Sequence, residues 1–170
     1  INGFGRIGRL AFRQMFGAKG YKIVAINDLT SPKMLAHLLK YDSAQRPYAL
    51  ASKVESSEED ATEGWISVDG HKIRIYAEKD AVNCPWKALG VDVVLECTGF
   101  YCSKEKSMAH ITAGAKKVII SAPAGKDLPT IVYSVNEKTL KKSDQIISAA
   151  SCTTNAITPT LKVLDDKYTV

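Results

Sequence analysis

The sequence predicts an α/β fold of the Rossmann type, with a doubly wound and mostly parallel sheet. Short apolar and β-branched segments alternate along the chain with segments whose apolar residues recur at helical spacing. A glycine-rich G-x-G-x-x-G turn stands at the start of the chain, and an acidic residue follows 20 positions after its last glycine. Together these features indicate βαβ units that hold a dinucleotide at the carboxyl ends of their strands.

Five buried strands and one hairpin are predicted from the apolar runs. The hairpin consists of two alternating segments, 65–68 and 71–75, joined by Asp69-Gly70, the dipeptide most typical of a two-residue turn. The other strands are predicted over 22–27, 92–97, 117–121, 130–135 and 145–148.

Helices are predicted between these strands. Residues 6–16 place apolar side chains on one face, 32–40 follow the N-cap Ser31 with proline at the first helical position, and 103–113 begin at Ser103. The acidic stretch 55–60 is predicted to be a solvated loop.

The composition, charge and cysteine pattern of the chain disfavour several classes of protein function. The chain has 170 residues, 45% hydrophobic and 24% charged, which is typical of a globular domain. No apolar run is long enough to span a membrane. The net charge is +5, but the basic residues are scattered, which disfavours a nucleic-acid partner and better fits a ligand that bears phosphate. Four cysteines without a C-x-x-C pair favour reduced, intracellular thiols and no metal site.

The glycine-rich turn has a specific physical interpretation. Gly3 permits a tight turn, Gly5 lets the backbone approach a pyrophosphate, and Gly8 lets the following helix lie against the sheet. The amides of Arg6 and Ile7 are then expected to point at the pyrophosphate from the helix N-terminus.

Asp28, at the end of the strand 22–27, is the acid that this motif requires. Its carboxylate is expected to accept hydrogen bonds from the adenosine ribose and to repel a ribose phosphate, so NAD is favoured over NADP. The alternative is an ordinary acid that follows a strand. Only Ile1 and Asn2 precede the turn, which suggests that the sequence begins inside its first strand and is a fragment.

Two further turns follow predicted strands at the edge where a dinucleotide would lie. Thr98-Gly99 follows the strand 92–97, and Ser121 ends the strand 117–121. Their hydroxyls are candidates to bind ribose or nicotinamide; simple turn residues are an equally good interpretation.

Cys152 lies in Ser151-Cys152-Thr153-Thr154-Asn155, between a predicted strand and a helical pattern that contains Pro159. A helix N-terminus stabilises a thiolate by about 0.3–1 kcal/mol. That is too little for a fast nucleophile, so a histidine partner is expected. Two interpretations remain open, a covalent nucleophile and a buried structural cysteine. For the other cysteines, the structural interpretation is preferred: Cys84, Cys97 and Cys102.

The chain resembles the phosphorylating glyceraldehyde-3-phosphate dehydrogenases, especially the bacterial forms, over nearly its whole length. The matching segments are INGFGRIGR (1–9), AIND (25–28), YDS (41–43), AEKD (77–80), ECTGF (96–100), ISAP (120–123) and SCTTN (151–155). The resemblance implies an NAD-binding Rossmann domain over 1–151 and the start of an α+β catalytic domain over 152–170. It implies conversion of glyceraldehyde 3-phosphate, NAD and inorganic phosphate to 1,3-bisphosphoglycerate and NADH.

The resemblance also implies site roles. Arg6, Ile7 and Asp28 would bind NAD, with Lys79 near the adenine and Ser121 beside the nicotinamide. Cys152 would attack the aldehyde and carry a thioester, its amide would help to stabilise the oxyanion, and Ser151 and Thr153 would hold a phosphate.

Some positions depart from the family pattern. Ala81, Ala149 and Ala156 stand where the family usually has Pro, Asn and Cys. The family's catalytic histidine, phosphate-gripping arginine and main subunit contacts lie beyond Val170, so this piece is expected to be inactive alone. The full-length enzyme is expected to be a cytoplasmic homotetramer. The alternatives are erythrose-4-phosphate dehydrogenase and a non-catalytic NAD-binding module.

Overall fold

The structure contains two sheets, and each of them includes at least one pair of parallel strands. The computed structural model describes residues 1–57 and 64–169. It contains two compact units, Ile1–Pro85 and Trp86–Val170. Each unit has its own sheet and its own helices. The predicted α/β class is therefore confirmed, with parallel strand pairs in both sheets.

The first unit contains a four-stranded mixed sheet. Its strands are β1 (Ala25–Asn27), β2 (Val54–Ser56), β3 (Gly64–Val68) and β4 (His71–Tyr76), in the order β1-β4-β3-β2. β1 runs parallel to β4, and the other pairs are antiparallel. The first residues of the chain run parallel beside β1, where the Asn27 amide donates to the Ile1 carbonyl (2.9 Å) and the Gly3 amide to the Asn27 carbonyl (2.8 Å).

Two helices complete the first unit, α1 (Arg6–Met15) and α2 (Pro32–Lys40). The Ser31 hydroxyl accepts the Met34 amide (3.4 Å), which confirms the predicted cap of α2. Phe4 and Phe12 are fully buried, and their rings meet edge to face with centroids 5.5 Å apart. This aromatic pair fixes the start of the chain to α1.

The second unit contains three parallel strands, β5 (Val93–Glu96), β6 (Lys117–Ile120) and β7 (Ile146–Ser148), in sequence order. The helix α3 (Lys104–Thr112) begins after Ser103, whose hydroxyl accepts the Lys106 amide (3.2 Å). The helix α4 (Cys152–Tyr168) follows β7. The main hydrophobic cluster is Val118, Ile120, Ala124, Leu128 and Ile146.

Most predicted elements are confirmed, with ends that differ by a few residues. The hairpin turns at Asp69 and Gly70, whose φ angles of 49° and 79° are those of the expected tight turn. Three short 3₁₀ turns, which the sequence analysis did not include, lie at Ala51–Lys53, Ala81–Asn83 and Glu137–Thr139.

The predicted strand 130–135 is wrong. Only Thr130 forms a bridge, to Ser148, and the chain then turns. The side chain of Asn136 explains the difference, because its Oδ1 accepts the Val132 amide (2.8 Å) while its Nδ2 donates to the Thr130 carbonyl (2.9 Å). These bonds satisfy backbone groups that a strand would have paired with its neighbour.

The predicted loop 55–60 is wrong in its first part. Glu55 and Ser56 belong to β2, which pairs with β3. Residues 58–60 lie outside the described residues. Among the helices that are described, none is both long and apolar enough to cross a lipid bilayer.

Candidate functional site

The glycine-rich turn of the first unit has the tight geometry that its motif predicts. Gly3 has a φ of 85°, a region that side-chain-bearing residues rarely occupy. A Cβ atom built on Gly8 would lie 2.1 Å from the Gly3 carbonyl oxygen. Glycine is therefore required at position 8, since the start of α1 lies directly against the turn.

The outer side of this turn is open. A Cβ atom built on Gly5 would meet nothing within 4 Å, and Gly5, Arg6 and Ile7 are exposed. Gly5 caps α1 without any side-chain hydrogen bond. The first-turn amides of a helix lack intrahelical partners and carry partial positive charge. The turn therefore fits a ligand's pyrophosphate.

The carboxylate of Asp28 binds two backbone amides of the first unit. Its Oδ2 accepts the Phe4 amide (2.7 Å), and its Oδ1 accepts the Thr30 amide (2.9 Å). The Phe4 carbonyl in turn accepts the Arg9 guanidinium (2.9 Å). Each carboxylate oxygen can accept a second hydrogen bond. The predicted ribose acceptor is thus also the group that fixes the turn.

Lys79 lies just after β4, the parallel neighbour of β1, and is exposed. The segment that carries it is tied to the first unit's other site residues by the Asp28 amide, which donates to the Tyr76 carbonyl (2.9 Å), and by the side chain of Asn27. The structure thus groups the glycine turn, Asp28 and the segment of Lys79 at the carboxyl ends of β1 and β4.

In the second unit, the predicted ligand Thr98 is held by internal bonds. Its amide donates to Glu96 Oε1 (2.7 Å), its hydroxyl donates to the same oxygen, and the hydroxyl accepts the Phe100 amide (3.0 Å). Gly99 has a φ of 81° in this turn. Ser121 lies beyond β6, and its amide donates to the Glu96 carbonyl (2.9 Å). A cofactor role for Thr98, Gly99 and Ser121 stays a prediction.

Glu96, the last residue of β5, also forms a buried pair with His110 of α3. The indole of Trp86 can only donate, and its Nε1 lies 3.1 Å from His110 Nδ1, so that nitrogen is an acceptor. His110 Nε2 therefore carries the proton and donates to Glu96 Oε2 (2.8 Å). Both side chains are fully buried. Sequence spacing gave no indication of this pair, because its members lie on different elements.

Cys152 is the first residue of α4 and is exposed. The cysteine is therefore not buried within this chain, and its role as a covalent nucleophile stays a prediction. Ser151 caps the helix, since its hydroxyl accepts the Thr154 amide (3.0 Å). The same hydroxyl lies 2.9 Å from the Thr153 hydroxyl and 2.7 Å from that of Thr154. The structure thus surrounds the thiol-bearing helix start with the hydroxyls that the motif predicted.

Two residues for which the sequence predicted no specific role shape this helix start. Ala150 has a φ of 64°, a left-handed conformation that costs an alanine about 1–2 kcal/mol. The Asn155 side chain donates to the carbonyls of Ala149 (2.7 Å) and Ser151 (2.9 Å). The asparagine therefore stabilises the sharp turn that ends in Cys152. Pro159 lies inside α4, which continues to Tyr168.

The remaining cysteines differ from Cys152. Cys84 is buried, and burial raises the pKa of both Cys97 and Cys102, although a hydrogen bond with Ser121 partly offsets this for Cys97. Among residues 1–57 and 64–169, no three His, Cys, Asp or Glu side chains group as metal ligands.

Comparison with known proteins assigns the chain to a family. The model of the glyceraldehyde 3-phosphate dehydrogenase NAD-binding domain matches residues 1–104. The glyceraldehyde-3-phosphate dehydrogenase of Lactobacillus delbrueckii subsp. bulgaricus is 57% identical over 173 residues, which cover 99% of this chain and 49% of that protein. Those of Clostridium pasteurianum and Thermotoga maritima are 54% and 52% identical over similar spans.

The chain spans about half the length of these curated relatives. Its match to the NAD-binding domain begins at the first residue and includes the glycine turn, Asp28, Lys79 and the Thr98–Gly99 turn. The Rossmann-type fold expected from the sequence agrees with this match. Since the family model covers more than half of the residues, the chain belongs to the glyceraldehyde 3-phosphate dehydrogenase family.

Proposed function

We propose that this chain is the cofactor-binding part, with the nucleophile, of a phosphorylating glyceraldehyde-3-phosphate dehydrogenase. The observation that carries the proposal is the exposed Cys152 at the first position of a hydroxyl-capped helix, in a chain of this family. The NAD-binding domain would comprise 1–151, and the catalytic domain would begin at 152. The names of the relatives support the triose substrate over the erythrose alternative.

NAD is the cofactor that the residues of the first unit fit. The first-turn amides of Arg6 and Ile7 would hold the pyrophosphate over the open surface at Gly5. The carboxylate of Asp28 would accept the adenosine ribose hydroxyls, and Lys79 would lie near the adenine. In the second unit, the Thr98–Gly99 turn and Ser121 would contribute to the nicotinamide side. Bound NAD would supply the hydride acceptor for the reaction.

The thiolate of Cys152 would form a bond to the aldehyde carbon of glyceraldehyde 3-phosphate, giving a hemithioacetal whose oxygen faces the Cys152 amide. Loss of a hydride from that carbon leaves a thioester on the sulfur. An oxygen of inorganic phosphate then attacks the thioester carbon, the carbon–sulfur bond breaks, and 1,3-bisphosphoglycerate leaves. Ser151 and Thr153 would hold a phosphate with their hydroxyls.

The base that takes the thiol proton is not His110. Both ring nitrogens of His110 are engaged inside the second unit, by Trp86 and by Glu96. We propose that the histidine expected from the family resemblance serves this role in the longer protein. A homotetramer in the cytoplasm is likewise proposed for that protein, on the basis of family membership.

Gly5→Ala is expected to separate cofactor binding from folding. An alanine Cβ meets no atom within 4 Å, and the φ of −68° at Gly5 suits alanine, so the melting temperature should not change. The same methyl would occupy the surface that the pyrophosphate needs, so the Kd for NAD should rise by at least about tenfold. Titration calorimetry with NAD and a thermal melt measure the two effects.

The matched variant is Gly8→Ala, whose methyl would collide with the Gly3 carbonyl. It should lower both the melting temperature and the affinity for NAD. Unchanged NAD binding by Gly5→Ala, or no NAD binding by the unmodified chain, would contradict the proposed cofactor site.

Asp28→Ala and Asp28→Asn are expected to differ. Alanine removes the acceptor for the Phe4 and Thr30 amides, whereas asparagine keeps one acceptor oxygen and loses the charge. Both should bind NAD at least about tenfold more weakly and discriminate less against NADP, because repulsion of the ribose phosphate is removed. Alanine should also accelerate hydrogen exchange at both the Phe4 and the Thr30 amides, whereas asparagine should accelerate it at only one of them. A variant that keeps the full NAD preference would refute the role of Asp28.

A further inference from the structure

The buried side chain of Asn27 joins three segments of the first unit. Its Nδ2 donates to Asn2 Oδ1 (2.8 Å) and to the Glu78 carbonyl (2.9 Å), while its Oδ1 accepts the Glu78 amide (2.8 Å). Asn27 is 5% exposed and Asn2 is 1% exposed. These bonds connect positions 25 and 51 residues apart in the sequence.

The orientation of the Asn27 amide is unambiguous. A backbone amide only donates and a carbonyl only accepts, so Glu78 dictates which side carries oxygen and which carries nitrogen. A glutamine side chain reaches further than asparagine, and a hydroxyl side chain lacks the amide nitrogen. Asparagine is thus matched to both backbone groups of Glu78 at once.

The two ends of this bridge depend on the side chain to different degrees. The glycine turn is also held by the Gly3 amide on the Asn27 carbonyl, by the Phe4 amide on Asp28, and by Arg9. None of these bonds uses the Asn27 side chain. At Glu78, in contrast, the Asn27 side chain binds both backbone polar groups of the residue immediately before Lys79.

We infer that Asn27 is a positioning residue for the adenosine half of the cofactor: it fixes the segment of Lys79 against the carboxyl end of β1, beside Asp28. The inference rests on the proposed function, because it gives the adenosine to Asp28 and Lys79. Asn27 itself does not touch the ligand. Loss of its side chain should release residues 78–79 and leave the phosphate-binding turn in place.

The second unit offers a matched control. Asn136 binds one backbone amide and one backbone carbonyl through its side chain, at 2.8 Å and 2.9 Å, as Asn27 does at Glu78. None of the residues of the proposed cofactor or thiol site takes part in those bonds. Asn136→Ala therefore removes bonds of the same kind from a turn without a proposed ligand.

The test compares two probe ligands, AMP and inorganic pyrophosphate, by NMR titration of the whole chain. Asn27→Ala should weaken AMP binding by about tenfold, as expected for the loss of two hydrogen bonds that order a binding segment, and leave pyrophosphate binding unchanged. It should also accelerate hydrogen exchange at the Glu78 amide. Asn136→Ala should bind both ligands as the unmodified chain does.

Each of the other outcomes contradicts either the inference about Asn27 or the proposed function. Equal weakening of AMP and pyrophosphate binding, or equal weakening of AMP binding by Asn136→Ala, would show a general structural effect and overturn the inference. Unchanged AMP binding by Asn27→Ala would also overturn it, while the proposed function stands. Failure of the unmodified chain to bind AMP and NAD would overturn the proposed function, and the inference with it. If Asn27→Ala does not fold, Asn27→Ser, which keeps a small polar group, is measured against the same criteria.

Discussion

Replacement of Cys152 by serine is expected to abolish the fast reaction of this chain with iodoacetamide. The exposed thiol at the start of α4 is the most accessible of the four cysteines. Burial raises the pKa of Cys97 and Cys102, which lowers their thiolate fraction at neutral pH, and Cys84 is buried. Since the thiolate is the reacting species, alkylation should reach Cys152 first, at least about tenfold ahead of the others.

Intact mass and peptide mapping at short reaction times measure this difference. The unmodified chain should gain one carbamidomethyl group, located on Cys152, and the serine variant should gain none in the same interval. Cys97→Ser is the control, and it should react as the unmodified chain does. First labelling at Cys97 or Cys102 would contradict the assignment of Cys152 as the available nucleophile.

The same substitution has a larger consequence in the longer protein. Without the sulfur, no thioester can form, so oxidation of glyceraldehyde 3-phosphate should be lost. With Cys152 present, and with aldehyde and NAD but no phosphate, mass spectrometry should find an acyl adduct on this residue. An adduct on another residue, or turnover by the serine variant, would refute the proposed reaction.

His110→Phe is expected to destabilise the second unit by about 3 kcal/mol, because it removes one of the donors that hold the buried Glu96 carboxylate. Phenylalanine occupies a similar space but cannot donate to Glu96 or accept from the Trp86 indole. Urea denaturation followed by the fluorescence of Trp86, in a chain whose other tryptophan is replaced by Trp65→Phe, measures the change in the free energy of unfolding.

A surface ion pair provides the contrast for that experiment. Lys162 and Asp166 lie 2.9 Å apart on the exposed face of α4, where solvent screens their attraction. Lys162→Ala should therefore leave the denaturation midpoint unchanged within error. An equally small effect of His110→Phe would show that the histidine contributes little to holding Glu96.

The sequence predicted the elements whose signals are local. The hairpin at Asp69-Gly70 and the caps at Ser31 and Ser103 depend on neighbouring residues, and all three are found where expected. The segment 130–135 was misjudged because its apolar residues resemble a buried strand. The deciding interaction comes from one side chain, Asn136, whose effect on the backbone does not follow from hydrophobic pattern.

The motifs of the candidate site could be predicted from the sequence, whereas the hydrogen bonds between distant segments that hold the site in place could not. The glycine turn and the position of Cys152 at a helix start follow from the local sequence, whereas the exposure of its thiol was left open. The bonds of Asn27 to Glu78, and those of His110 to Glu96 and Trp86, join residues on different elements. Such contacts depend on how strands and helices pack, which a single sequence does not specify.

The two bonds of Asp28 to backbone amides bear on how coenzyme preference changes during evolution. A lineage that exchanges this acid for a residue without a side-chain acceptor alters recognition and, in the same step, removes the acceptor that shapes the neighbouring turn. A tolerated path therefore requires a compensating acceptor for the Phe4 amide before or together with the exchange. Selection on folding thereby constrains selection on specificity at this position.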